Sequence, residues 1–310
     1  MFHLIRNLLQ ILRPNSSRLY TYIQSPIVAG VQFSTAHGLK LKTGREPLWV
    51  NLGYWRDVEL CTLNNYARWP ELLTQAQMNL AALLAETAKL GDDDEVLDCG
   101  FGYGDQDIFW LEKYKPRRIV GINITKEQVR VASERVRLLN LEDRVDFRHA
   151  SATKIPFSPK TFDVVLALEC AFHFNTRETF LREAARVLRP GGRIAIADVF
   201  CTERRNISLR QRLRQNISRR RYHFPSANLW TRDEYKATLE GLGFQDISIV
   251  SIAEDVFRPF QRQWVQFSKD PTTDKITQHV EKVAGLSRDQ FMWNLGLGVD
   301  EYAVVFARES

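Results

Sequence analysis

The sequence predicts an α/β protein built on a doubly wound, seven-stranded, mostly parallel sheet. An N-terminal helical extension and a helical insertion after the fifth strand complete the expected architecture. Three observations predict it. From Glu95 onward, short apolar runs alternate with helix-patterned segments. A glycine-rich turn, Gly-x-Gly-x-Gly, follows the first apolar run immediately. A block crowded with arginine interrupts the alternation after the fifth run.

"EVLDCG" (95–100) reads as the first strand and "DQDIFWLEKY" (105–114) as the helix behind it. "RIVGIN" (118–123) is the second strand. Thr125 is placed to cap the helix "KEQVRVASERVRLLN" (126–140), because a hydroxyl before the first turn accepts one of its spare N–H groups. "RVDFRHAS" (144–151) is a third strand and "FDVVLALEC" (162–170) a fully apolar fourth. "TRETFLREAARVL" (176–188) is a helix stopped by "RPGG", and "RIAIADVF" (193–200) is the fifth strand. Apolar strands separated by helices of this length imply right-handed crossovers and a sheet covered on both faces. After the arginine block, "TRDEYKATLEGLGF" (231–244) is a helix, "DISIVSIAED" (246–255) a strand and "EYAVVFARES" (301–310) the last strand.

Charge is distributed unevenly. Residues 1–45 carry six Lys or Arg and no acid, which equals the whole net charge of +6. That region divides the chain into a basic N-terminal extension (1–45) and a domain (46–310) with a helical lid insertion at 203–230. Phe2, Ile5, Leu9 and Leu12 share one helical face and Pro14 ends the run. Three readings stay open for it: a surface anchor, a mitochondrial transit peptide or a helix packed on the body. In the second block, residues 203–221, eight arginines face one glutamate, and Leu209, Leu213 and Ile217 lie four apart. A solvated lid helix and a peripheral membrane contact through 1–30 and 204–221 are both compatible with this pattern. No run of about 18 apolar residues is present to span a bilayer. Four scattered cysteines suggest neither a zinc site nor a disulfide framework, so a cytoplasmic or mitochondrial location is expected rather than secretion.

Ligands of open α/β sheets bind beyond the carboxyl ends of the strands, at the switch point beside the first one. "DCGFGYGDQD" (98–107) falls there. A dinucleotide turn spaces its glycines Gly-x-Gly-x-x-Gly and aims a helix N-terminus at a pyrophosphate. Here the helix opens with Asp105-Gln106-Asp107, which suits a cationic ligand better.

Asp-x-Gly-x-Gly-x-Gly after a strand resembles the first motif of the class I S-adenosylmethionine-dependent methyltransferases. "SATKIPFSPKTFDVVLALEC" (151–170) and "REAARVLRPGGRIAIADV" (182–199) are similar to their third-to-fourth-strand and helix-to-fifth-strand passages. "NLGYW" (51–55), "GFGYGDQD" and "LECAFHFNTRETF" (168–180) look like the erythromycin-sugar and rebeccamycin-type small-molecule O-methyltransferases, with tocopherol and sterol methyltransferases more distant. The resemblance implies the Rossmann-like methyltransferase fold and S-adenosyl-L-methionine as cofactor. It implies cofactor contacts at Asp98, Gly100, Gly102, Gly104, Gln106 and Glu169, with Tyr54 and Trp55 folded over the sulfonium. Where the superfamily ends its second strand in an acid for the ribose, this chain has Asn123. Where an acid meets the adenine amino group it has Ser151, and the Ala152 amide is the candidate in its place.

His173 follows the fourth strand, where an acceptor would sit, and methyl transfer to an alcohol requires removal of the hydroxyl proton. An imidazole suits that task. Asp198 ends the neighbouring fifth strand, and a carboxylate there would orient the ring. His149 reads as structural, and His223 falls in the insertion. No cluster of acids and histidines suggests a metal.

The expected activity is methylation of a hydroxyl on a small, apolar molecule. C-methylation of a lipid-like acceptor, RNA methylation and a non-catalytic scaffold remain as alternatives. Nucleic acid is disfavoured: no Asn-Pro-Pro-Tyr or Asp-Pro-Pro-Tyr follows the fourth strand.

Overall fold

The structure, a computed structural model, describes residues 48–60, 68–201, 208–221, 223–267 and 300–310. The expectations for residues 1–45, and those for 203–207 of the insertion, lie outside the described residues.

Seven strands form one sheet in the order β3-β2-β1-β4-β5-β7-β6. They are β1 Glu95–Cys99, β2 Arg118–Asn123, β3 Val145–His149, β4 Phe162–Leu168, β5 Leu188–Phe200, β6 Gln245–Ser251 and β7 Glu301–Arg308. The first five run parallel, and β7 is antiparallel to both β5 and β6. Leu97 lies opposite Val120 on one side and Val165 on the other, so three apolar strands pair at the sheet's centre.

Side chains alternate across a strand, and this sheet is covered on both faces. Val96, Leu166, Ala195 and Val304 point to one buried cluster. Leu97, Val165, Ile194 and Ile196 point to the other. The first face is covered by α1 (Trp69–Thr87) and α2 (Asp105–Lys113). Leu80, Ala81, Leu84 and Ala85 of α1 recur at helical spacing and are fully buried. The Trp110 indole N–H donates to the Ala81 carbonyl at 2.8 Å, which locks α2 to α1. α3 (Lys126–Leu138) covers β2 and β3. On the opposite face, α4 (Arg177–Val187) buries Phe180, Leu181 and Ala184. α6 (Arg232–Gly241) buries Tyr235 and Leu239 beside them.

Caps fix where helices start. Thr176 accepts from the Thr179 N–H ahead of α4. Thr231 and Glu234 form a reciprocal capping box on α6. Thr125 does occupy the N-cap position of α3, but its side chain makes no capping bond; the Asn123 side-chain oxygen accepts from the Thr125 N–H instead, at 3.1 Å.

Three elements differ from the sequence reading. α1 carries a clear apolar stripe, which that reading passed over because it precedes the strand alternation. The strand expected over 246–255 ends at Ser251, and α7 (Ala253–Phe267) begins two residues later. β5 starts at Leu188 and runs through the segment "RPGG" (189–192) that was read as a stop.

The insertion after β5 contains α5 (Leu209–Arg221). Leu209 and Leu213 are exposed, so this part of the stripe does not pack on the sheet. Among the described residues, no helix is long and apolar enough to cross a membrane.

Candidate active site

β1 ends beside β4, where the strand order reverses, and the glycine turn leaves from there. Gly100 and Gly102 adopt φ values of +91° and +59°, a region that strains other residues. A Cβ on Gly100 would lie 2.7 Å from Cys170 Sγ, and one on Gly102 would lie 2.6 Å from Val50 Cγ2. Residues 48–55 therefore lie against the turn as a strap. The sequence reading gave all the space vacated by these glycines to a ligand; the chain itself takes the two nearest places.

Each end of the strap is fastened. The Leu48 N–H donates to Asp105 Oδ2 at 3.2 Å, and Asp105 is held by the Arg135 guanidinium at 2.7 and 2.8 Å. The Leu52 N–H donates to the Glu169 carboxylate at 3.0 and 3.1 Å. Gln77 of α1 donates to the Asn51 carbonyl at 2.8 Å, and the Tyr54 N–H donates to the Ala76 carbonyl at 2.8 Å.

Tyr54 and Trp55 stand on this strap, but the Trp55 ring is buried and its indole N–H donates to the Leu52 carbonyl. Tyr54 is half-buried, with the Arg56 guanidinium 5.4 Å from its ring centre. Glu169, expected to contact the cofactor, is held by protein groups. Besides Leu52 it accepts from the Tyr302 hydroxyl at 2.6 Å. Burial raises its carboxyl to about 7, against the pull of these two donors.

Asp98 is fully buried at the end of β1. Gln106 donates to its Oδ2 at 2.9 Å, while Oδ1 has no hydrogen-bond partner among the described residues. A buried carboxylate oxygen left open beneath a left-handed glycine turn fits a cationic ligand. Next to it, Asn123 ends β2 and donates to Gln128 at 3.0 Å. A carboxylate could not make that bond, which gives Asn123 a local role as well. Ser151 Oγ accepts from the Thr153 N–H at 3.2 Å and shapes the turn after β3, in which Ala152 is buried. His149 bonds the Ile124 carbonyl at 3.0 Å.

The expected His173–Asp198 pair is not formed. Asp198 lies within the sheet and its carboxylate forms an ion pair with Arg177 at 2.8 Å, both side chains having no exposed surface. It also accepts from the Val199 N–H at 2.9 Å and the Tyr235 hydroxyl at 3.1 Å. Arg177 in turn donates to the carbonyls of Asn228 and Val199, at 2.6 and 2.9 Å, between the rings of Trp230 and Tyr235. Asp198 thus anchors the returning end of the insertion. The strand-end position suggested a catalytic acid because nothing in "NTRETF" marks Arg177 as buried.

His173 lies in the single 3-10 turn after β4 and is half-buried against Phe172, at 4.1 Å between ring centres. Its Nδ1 is 3.0 Å from the His223 carbonyl. A carbonyl only accepts, so Nδ1 carries the proton and Nε2 is the basic nitrogen. The backbone of the insertion thus holds the ring, while Asp198 is engaged by Arg177.

A methyltransferase-domain family profile matches residues 97–196. Erythromycin 3''-O-methyltransferase of Saccharopolyspora erythraea is 37% identical over 236 residues, spanning 74% of this chain and 72% of that protein. The chain belongs to the class I S-adenosylmethionine-dependent methyltransferases. A second relative of this methyltransferase, the 27-O-demethylrifamycin SV methyltransferase of Amycolatopsis mediterranei, is 31% identical over 242 residues, 76% of this chain and 81% of that one. Among solved structures, geranyl diphosphate C-methyltransferase from Streptomyces coelicolor superposes with a TM-score of 0.69 over 96% of this chain and 99% of that one. At 16% identity that likeness is one of fold. The cofactor of this methyltransferase is S-adenosylmethionine, and it supplies an electrophilic methyl group on a sulfonium.

Proposed function

We propose that this methyltransferase transfers its methyl group to a hydroxyl of a small, apolar molecule, and that His173 receives the hydroxyl proton. The carrying observation is that two relatives with broad coverage carry names of O-methylation, an erythromycin 3''-O-methyltransferase and a 27-O-demethylrifamycin SV methyltransferase. The oriented imidazole supports the reading. Its proton sits on Nδ1 against the His223 carbonyl, so the basic Nε2 lone pair is turned away from that carbonyl. Phe172 and Phe224, with ring centres 6.0 Å apart, give this corner an apolar lining. The chain's part in the chemistry is to hold acceptor and cofactor in line, exclude water and take the proton at Nε2.

The glycine turn, Asp98, Gln106, Asn123, Ser151 and Ala152 are proposed as the cofactor-binding side. The Tyr54–Trp55 strap covers it, and Glu169 fastens that strap.

The test uses labelled S-adenosylmethionine with a panel of apolar alcohols and phenols. Methyl ethers are the expected products. His173→Ala should lower turnover about 10²–10⁴-fold with little change in cofactor affinity, and the acid limb of the pH–rate profile should vanish. Products methylated only at carbon or nitrogen would overturn the reading, as would an unchanged pH profile in His173→Ala.

A further inference from the structure

Asp98 and Asp107 form an acid pair inside the protein. Gly104 turns the chain into α2, and Asp107, in the first turn, points back toward the end of β1. Neither residue has any exposed surface. Gln106 donates to Asp98 Oδ2, while Asp98 Oδ1 and both Asp107 oxygens are buried beyond the reach of any described donor. Each carboxyl also lies within hydrogen-bonding reach of the other.

Among the described residues no cation forms an ion pair with either carboxyl. From β1 and the loop after β4 the neighbouring titratable groups are the thiols of Cys99 and Cys170. From α2 the neighbours are the Asp105 carboxylate and the Gln106 amide, a neutral donor. The cation facing this side is Arg135 of α3, and Asp105 holds it by two hydrogen bonds. Two ionised carboxylates here would be buried like charges with the Gln106 amide on one of them, a costly arrangement. Two protonated acids would leave nothing anionic beneath the turn. One proton satisfies both groups: an acid donates and a carboxylate accepts.

We propose that Asp107 carries that proton and donates it to Asp98, so that the pair presents a single negative charge to the cofactor. Asp107 is then a positioning residue, acting through Asp98. This rests on the reading of the glycine turn as the cofactor side. Gln106 donates to Asp98 while neither Asp107 oxygen has a partner among the described residues, which places the charge on Asp98 and the proton on Asp107; burial raises both carboxyls, Asp98 to about 7. Cofactor affinity should therefore rise with pH through neutrality, as Asp98 ionises while Asp107 stays neutral.

Three full-length proteins test this: the parent, Asp107→Ala and Asp107→Asn. Calorimetry gives S-adenosylmethionine affinity across pH. Asp107→Ala removes the donor, so Asp98 ionises at higher pH. Affinity at neutral pH should fall about tenfold or more, and the midpoint should move upward. The amide of Asp107→Asn donates in place of the acid and should restore most of the loss. The proposal fails if Asp107→Ala follows the parent's pH profile, or if Asp107→Asn is impaired as badly as Asp107→Ala while keeping its fold. Infrared spectroscopy of the parent without cofactor gives an independent readout. A protonated carboxyl band that Asp107→Asn lacks should persist above neutral pH, and the absence of such a difference overturns the pair whatever the affinities do. If the band is present and the parent does not bind S-adenosylmethionine, the cofactor assignment fails and the shared proton stands.

Discussion

Asp198→Asn separates the two roles this residue has been assigned. The substitution preserves shape and keeps one acceptor oxygen, enough for the Val199 N–H or the Tyr235 hydroxyl but not both, since they use different carboxylate oxygens. It removes the charge that faces Arg177, and that guanidinium has no exposed surface through which to recruit water. Breaking a buried ion pair at one partner costs about 3–5 kcal/mol. Arg177 keeps its bonds to the Asn228 and Val199 carbonyls and its place between two aromatic rings, so the lower end applies. At about 2–4 °C per kcal/mol for a domain of this size, a loss of about 3 kcal/mol lowers Tm by about 6–12 °C. Circular dichroism melts measure this directly. Turnover and cofactor affinity, taken well below the transition, should change far less than in His173→Ala. A dyad acid would give the opposite pattern, with Tm almost unmoved and turnover lowered as much as in His173→Ala. That outcome would refute the structural role.

Two further perturbations address the strap. Gly102→Ala combines left-handed strain of roughly 1–2 kcal/mol with a Cβ 2.6 Å from Val50 Cγ2. S-adenosylmethionine affinity should fall about tenfold, and adding Val50→Ala should recover part of it by removing the clashing methyl; a double variant no better than the single would show that Val50 is not what the new methyl meets. Glu169 stays protonated to about 7 in the folded chain, against 4.5 for an ordinary Glu. Between those values the unfolded chain gives up a proton that the folded chain keeps, so stability falls as pH rises through this window and levels off above it. Urea midpoints at about pH 5 and pH 8 should fall more in the parent than in Glu169→Gln, and equal slopes would refute the buried latch.

The sequence by itself determined the alternation of strands and helices, the position of the glycine turn and the family. Each of these is written in short contiguous patterns. "EVLDCGFGYGDQD" states within thirteen residues that a buried strand ends, that the backbone turns left-handed and that an acidic helix begins. The turn's role as the switch point also follows, because β1 must lie beside both β2 and β4 for the alternation to close into one sheet. The apolar stripe of α1 was equally available in the sequence.

Only the tertiary structure decided which side chains face one another. Asp198 meets Arg177 from α4 and Tyr235 from α6, not the histidine at the end of the adjacent strand. Glu169 meets Leu52 and Tyr302, residues more than a hundred positions away on either side. Asp107 turns inward to Asp98 although a helix N-terminus would accept it equally well on the surface. The physical reason is the same in each case. Local patterning fixes backbone direction and which face is buried, whereas a buried charge takes its partner from whatever the packed elements bring within about 3 Å. For Asp198 and Glu169 those partners come from distant parts of the chain; Asp98 and Asp107 are only nine residues apart, yet it takes the packing of α2 against the end of β1 to turn them toward each other.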